Sequence, residues 1–335
     1  MQSKIAICYG TRPEYLKLKK IIELIDNKNK KVLFFEQHDD LISNNFYSKK
    51  INIKKNKKLR LNSIFSQILN KIDLSEFTSV LVQGDTATAC AVAIAAFHQN
   101  KKIIYLEAGL RSYDLLNPFP EESYRQIISR ISNINLCPTI FSKKNLINEK
   151  ISGKIYVVGN TVLDNILHLK KKSFYSNVVL VTLHRRENLP IIKNWFLTIN
   201  NIAKKNKNLK FILPIHLNPE IKKNSQFLSH VKVINHLNHS KFLKFLVRAK
   251  FIITDSGGIQ EEASYLNKKV IVCRKTTERP EGISSGHSVI CSSPEKLNKI
   301  FYKVNKYYKI NKNCPYGDGK SSARVIQILK REKIL

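Results

Sequence analysis

Three carboxylates follow apolar runs or a proline in the first half of the chain: Asp85 after Ser79–Gln83, Glu107 after Ile103–Leu106, and Glu121 after Pro120. Gathered in one cleft, acids raise one another's pKa through like-charge repulsion and lost solvation, and general acid/base work at neutral pH needs such tuning. Taken singly, each has a structural alternative: Glu107 paired with Arg111 or Arg12, and Glu121 with Arg125. As a set they point to proton transfer. His184-Arg185-Arg186-Glu187-Asn188 ends a further apolar run, Val178–Leu183. Packing does not explain a histidine and two arginines there, because an unpaired buried charge is costly. An anionic ligand and a structural salt-bridge cluster are the competing explanations, and Arg12, after the first apolar run, reads the same way.

Asp255-Ser256-Gly257-Gly258-Ile259-Gln260-Glu261-Glu262 follows Phe251–Thr254 and opens a helical pattern. Glycines let backbone N–H groups approach an anion, and a helix N-terminus carries partial positive charge. The segment reads as a diphosphate cradle, with Glu262 one turn on and able to accept from ribose hydroxyls; an ordinary Ser-Gly helix start is the alternative. Phe242 suits either stacking on a base or packing in the core. Gly10-Thr11-Arg12-Pro13-Glu14, Gln83-Gly84-Asp85-Thr86, Glu107–Arg111 and Thr277-Glu278-Arg279-Pro280-Glu281 are further polar loops of this kind. Their recurrence after apolar runs implies one ligand crevice, since open α/β sheets bind ligands at the carboxyl ends of their strands.

The elements that position these loops alternate. Apolar strands are expected at Lys4–Cys8, Lys31–Phe35, Ser79–Gln83, Ile103–Leu106 and Ile155–Val158, then at Val178–Leu183, Leu209–Ile215, Val231–Asn235, Phe251–Thr254 and Val270–Cys273. Helical patterns separate them at Glu14–Leu24, Ala87–Phe97, Glu122–Ile131, Ile191–Lys204, Ser240–Arg248 and Gly258–Leu266. Continuous apolar strands alternating with helices predict parallel sheets covered on both faces. Two such series predict two Rossmann-like α/β domains facing across a cleft. The expected bounds are 1–168 for the domain carrying the carboxylates and 169–312 for the nucleotide-binding domain, with 313–335 packing back on the first.

A hydrophobic content of 43% is that of a folded chain, and no apolar run approaches the ~20 residues of a membrane-spanning helix. Six scattered cysteines without a C-x-x-C pair give neither a disulfide framework nor a zinc site. With an N-terminus that runs straight into a strand, they lead to the expectation of a cytoplasmic protein without a metal or other cofactor. The net charge of +33 comes from lysines interleaved with asparagine and isoleucine along the whole chain. No nucleic-acid-binding motif accompanies it, so it reads as solvated surface, with no specific nucleic-acid partner expected.

The set Gly-Thr-Arg-Pro-Glu, Gln-Gly-Asp-Thr, Glu-Ala-Gly-Leu-Arg, Pro-Glu-Glu, His-Arg-Arg-Glu-Asn, Asp-Ser-Gly-Gly-Ile-Gln-Glu-Glu and Thr-Glu-Arg-Pro-Glu, followed by Pro315-Tyr316-Gly317-Asp318-Gly319-Lys320, resembles the non-hydrolysing UDP-N-acetylglucosamine 2-epimerases in order from Gly10 to Arg324. The resemblance implies a GT-B-like two-domain fold and interconversion of UDP-N-acetylglucosamine with UDP-N-acetylmannosamine through elimination and re-addition of UDP. Asp85, Glu107, Glu121 and His184 then match catalytic positions. Arg12, Lys17 and Arg125 match substrate contacts; Phe242, Ser256, Gly257, Gly258, Glu262 and Arg279 match the UDP site. A homodimer is implied, and no metal or nicotinamide.

Departures from the family pattern accompany the matches. Phe35-Glu36-Gln37-His38 stands for Thr-Gly-Gln-His, Asp40 for a glutamine, Tyr124 for an asparagine and Ala323 for a glutamate, while a glutamine near Leu61–Ser63 is missing. Gln37, His38, Arg185 and His216 persist, and they imply a second site where substrate activates the enzyme. The rival readings are a GT-B glycosyltransferase, a hydrolysing 2-epimerase, and a 2-epimerase of diacetamido-uronic acid nucleotides.

Overall fold

The computed structural model describes residues 4–36, 47–54 and 58–335. The chain divides into two compact units, Met1–Asn165 with Gly317–Leu335, and Ile166–Tyr316.

In the first unit the strands are β1 (Ile5–Tyr9), β2 (Lys30–Phe35), β3 (Lys49–Ile51), β4 (Ser79–Gln83), β5 (Lys102–Leu106), β6 (Ile134–Cys137) and β7 (Lys154–Val157). They lie in the order β3-β2-β1-β4-β5-β6-β7, each neighbouring pair parallel. The central strands are buried along their length, as a sheet covered on both faces requires. The helices between them are α1 (Arg12–Leu24), α2 (Arg60–Lys71), α3 (Ala87–His98), α4 (Glu121–Ile131) and α5 (Ile140–Asn148). On one face α2, α3 and α4 contribute Ile64, Ile68, Cys90, Val92 and Ile128 to the core. On the other, Leu18 and Ile21 of α1 join Val325 and Leu329 of the C-terminal helix Ser321–Arg331. Asp164 anchors that last helix by accepting from the backbone N–H groups of Ser321 at 3.0 Å and Ser322 at 2.6 Å, two donors that the helix start leaves without an internal partner.

The second unit holds β8 (Val178–Thr182), β9 (Lys210–Pro214), β10 (Lys232–Ile234), β11 (Ala249–Thr254), β12 (Lys269–Val272) and β13 (Ser288–Ile290), in the parallel order β10-β9-β8-β11-β12-β13. Its helices are α6 (Ile192–Lys205), α7 (Pro219–Asn224), α8 (His239–Arg248), α9 (Gly257–Tyr265), α10 (Pro280–Ser284) and α11 (Pro294–Lys306). Trp195, Phe196, Phe211, Phe251 and Phe301 fill its core. The chain thus forms two parallel-sheet α/β domains, the fold class that the alternating apolar runs predict.

Each sheet has a point where strand order reverses, between β1 and β4 in the first unit and between β8 and β11 in the second. Ligands of open α/β sheets lie outside the carboxyl ends of strands at such points. The loops leaving those four strands carry Arg12, Asp85, His184 and Asp255–Gly258.

Candidate active site

In the first unit, Thr11 caps α1 with Oγ1 3.5 Å from the Glu14 N–H. Arg12, half-buried, and Pro13 therefore occupy the opening turn, where proline's missing N–H is not needed. Lys17, further along α1, reaches the Glu107 carboxylate at 2.5 Å, and Gln83 Nε2 donates to the same group. Glu107 has φ +70°, a left-handed conformation that disfavours any side chain with a Cβ. Strain of this kind concentrates at functional sites. The β4 loop passes alongside: Gly84 has φ +74°, and a Cβ added there would stand 3.8 Å from Glu107 Oε2. Its neighbour Asp85 receives Arg125 Nε at 2.8 Å and Nη2 at 2.6 Å, and Arg125 also bonds Glu122 at 3.3 Å. The Asp85 side chain keeps 30% of its surface exposed while that of Arg125 keeps 5%, so the carboxylate is the reachable member of the pair. Glu121 opens α4 half-buried. Arg111, one candidate partner of Glu107, instead makes a fork to Glu149 at 2.8 and 2.9 Å. The structure thus brings Lys17 to Glu107 and Arg125 to Asp85, on the exits of adjacent strands.

One carboxylate of the first unit received no role from the sequence. Glu14 is fully buried and accepts from Gly10 N–H at 3.0 Å, Thr11 Oγ1 at 2.8 Å and Thr86 Oγ1 at 2.7 Å. It ties the β1 loop bearing Arg12 to the β4 loop bearing Asp85. Burial pushes its pKa up to about 7 against the pull of those hydrogen bonds.

In the second unit, buried Asp255 gathers the His-Arg-Arg-Glu-Asn turn. It accepts from the N–H groups of His184 at 3.0 and 3.1 Å and Arg185 at 2.9 Å, and from Asn188 Nδ2 at 3.0 Å. Asn188 also donates to the Cys273 carbonyl and accepts from Trp195 Nε1, which locks the turn to the core. His184 stacks on His216, with ring centroids 4.9 Å apart and planes 10° from parallel. Burial holds both imidazoles below their ordinary pKa. Arg185 is half-buried beside them. Gln37 and His38 lie outside the described residues.

Ser256 stands at the N-cap of α9, with its N–H 3.0 Å from Thr254 Oγ1, and Gly257 and Gly258 form the first turn. The Arg279 guanidinium packs against this turn: a Cβ on Gly257 would fall 2.5 Å from its Nη1. Arg279 is held by Glu261 at 2.7 Å and by Glu278; Glu278 also binds Arg274 at 2.8 Å, and Arg274 binds Glu187 at 2.8 Å. This chain of alternating charge runs from the β8 turn to α9. Glu262 bonds His239 Nε2 at 2.6 Å, and Phe242 stands half-buried three residues beyond His239 in α8. Asp255, Asn188, Glu261 and Glu278 stand in motifs that the sequence marks, but local spacing gives none of them an individual role; His239 sits in a polar stretch with no pattern to mark it. Among the described residues no three His, Cys, Asp or Glu side chains group to hold a metal ion, and no helix is long and apolar enough to cross a membrane.

A family model for UDP-N-acetylglucosamine 2-epimerase matches residues 36–330. The chain is 35% identical to the UDP-N-acetylglucosamine 2-epimerase of Campylobacter jejuni, over 99% of each chain, and 35% identical to that of Neisseria meningitidis serogroup A, over 98% of this chain and all of the other. Among solved structures, the Neisseria meningitidis UDP-GlcNAc 2-epimerase bound to UDP-GlcNAc superposes with a TM-score of 0.88 at 33% identity, covering 98% of this chain and 100% of that one. The Methanocaldococcus jannaschii enzyme in complex with UDP-GlcNAc and UDP gives 0.82 at 29% identity, covering 98% and 99%. MurG of Acinetobacter baumannii, at 9% identity and a TM-score of 0.60 over 99% of this chain and 100% of its own, shares the fold alone. On the full-length match, the chain belongs to the UDP-N-acetylglucosamine 2-epimerase family of isomerases.

Proposed function

We propose that the protein interconverts UDP-N-acetylglucosamine and UDP-N-acetylmannosamine without net hydrolysis. The observation that carries this reading is the pair Asp85 and Glu107 at adjacent strand exits, each fixed by a cation, in a chain of this family. A carboxylate takes the proton from sugar C2, the C–H electrons form the C1–C2 double bond, and UDP leaves C1 with the C–O bonding pair. The resulting 2-acetamidoglucal is attacked at C1 by the same UDP, while a second acid delivers a proton to the opposite face of C2. Asp85, Glu107 and Glu121 supply the acid and base, and Arg12, Lys17 and Arg125 orient them and the sugar. The second unit takes the nucleotide: Ser256, Gly257, Gly258 and Arg279 at the diphosphate, Glu262 at the ribose and Phe242 at the uracil. His184, held neutral, donates to the departing diphosphate. A helix N-terminus with two glycines is suited to that anion because its first N–H groups have no partner within the helix and point along its axis.

Incubation with UDP-N-acetylglucosamine in heavy water, followed by NMR, tests the scheme. The expected result is UDP-N-acetylmannosamine with deuterium at C2 in both epimers and no accumulating free sugar. Accumulation of N-acetylmannosamine and UDP would establish the hydrolysing reaction instead, and epimer without deuterium would rule out proton abstraction at C2. We further infer a homodimer, for which light scattering at twice the mass of one chain is the expected result.

A further inference from the structure

We infer that His239 is a positioning residue for nucleoside recognition, its imidazole fixing the Glu262 carboxylate so that the ribose hydroxyls meet an oriented acceptor. The inference rests on the reading that places ribose at Glu262. Glu262 lies in α9 with 6% of its side chain exposed, and its Oε1 is 2.6 Å from His239 Nε2. A carboxylate has two oxygens and about four acceptor directions. Pinning Oε1 stops rotation of the group and leaves Oε2 to receive a diol. The donor is itself well anchored. His239 is the first residue of α8, and Asn238 caps that helix by accepting the Lys241 N–H at 2.9 Å. Phe242 stands three residues on, and positions three apart share a helix face. One turn of α8 therefore carries both the ring assigned to the base and the imidazole that steers the carboxylate assigned to the sugar. The His239 side chain is 23% exposed and so borders solvent. An Nε2–H donor serves in either charge state of the ring, and a bond to an ionised acceptor is the stronger kind.

Binding of UDP and of 2′-deoxy-UDP to the full-length protein, by calorimetry, distinguishes the outcomes. The wild type is expected to prefer UDP. His239→Phe should weaken UDP about tenfold, the worth of one charge-assisted hydrogen bond, and bring the UDP to 2′-deoxy-UDP ratio close to one. In turnover it should raise KM and leave kcat unchanged, the signature of lost uniform binding. His239→Gln, which keeps an N–H donor, should restore most of the affinity. His239→Phe with Glu262→Gln should be no weaker than Glu262→Gln alone, because the two act as one unit. His239→Ala is read in the same way should the phenylalanine variant not fold. Wild-type affinity and discrimination in His239→Phe, beside loss of both in Glu262→Gln, would overturn the role of His239 alone. Wild-type behaviour in Glu262→Gln would overturn the ribose assignment beneath it.

Discussion

Glu14 shows how a single buried side chain can tie together two loops that carry candidate site residues. Its carboxylate joins the loops of β1 and β4, and burial raises its pKa to about 7. In the unfolded chain it titrates near 4.5, the value of an exposed carboxylate. Between those values the folded state holds a proton that the unfolded state has released, so stability is fully present below pH ~4.5 and declines until the pH passes ~7. A displacement of this size corresponds to about 3 kcal/mol. Glu14→Gln removes the titration. Denaturant melts from pH 4.5 to 8 should show the variant gaining on the wild type by about that amount across the window, and a constant difference would mean Glu14 ionises as it does in water. Asp85→Asn and Glu107→Gln are predicted to cut kcat by roughly 10²–10⁴-fold, the usual worth of a positioned acid or base, and near wild-type rates in both would remove them from the mechanism. Asp85, Glu107 and His184 were legible as acids and a histidine ending apolar runs. Their partners were less so: Lys17 meets Glu107 from 90 residues away, and Arg111 turned out to serve Glu149. Which cation reaches which carboxylate is set by strand order, and that is not written in local spacing.

At the scale of elements, strand exits and helix starts decide what each glycine does. Gly258 sits in the first turn of α9 with nothing within 4 Å of an added Cβ. Gly258→Ala is therefore expected to leave the fold intact and to add up to about 1 kcal/mol of helix stability. The new methyl would still stand between the backbone N–H groups and a diphosphate, so UDP affinity should fall at least tenfold. A thermal melt and a UDP titration of one sample separate the effects, and unchanged affinity would move the diphosphate away from this turn. Gly257→Ala differs, because its Cβ collides with an Arg279 guanidinium that Glu261 and Glu278 hold in place; it should lose both affinity and stability. The same scale explains which elements the sequence displayed. Long apolar strands such as β1, β4, β8 and β11 stood out. The three-residue strands β3 and β13 did not, and β6 was obscured by Asn135, a polar residue buried in a four-residue strand. α12 (Ser321–Arg331) packs against α1 across more than 300 residues of sequence; the return of 313–335 to the first domain is expected from the sequence, but which helix it meets is set by the folded sheet.

At the scale of the whole molecule, the second unit is an insertion in the first: the chain leaves the first unit after Asn165 and rejoins it at Gly317. Residues 166–316 have their own six-stranded sheet and aromatic core, and every residue assigned here to uridine, ribose and diphosphate falls among them. The assigned acids and bases, apart from His184, fall outside. Binding and proton transfer should therefore be separable by cutting the chain. A fragment of residues 166–316 is expected to fold, to bind UDP within about tenfold of the full-length protein and to exchange no deuterium into UDP-N-acetylglucosamine. Deleting residues 317–335 strips Val325 and Leu329 from the core they share with Leu18 and Ile21, and large apolar side chains lost from a core cost 2–5 kcal/mol each. Against a typical total of 5–15 kcal/mol, that loss should unfold the first unit while Trp195, the chain's one tryptophan, still reports a native second unit. Loss of the native Trp195 signal on deleting 317–335 would tie the fold of the second unit to that of the first, and a fragment of residues 166–316 that folds yet ignores UDP would show that the nucleotide is not held by the inserted unit alone.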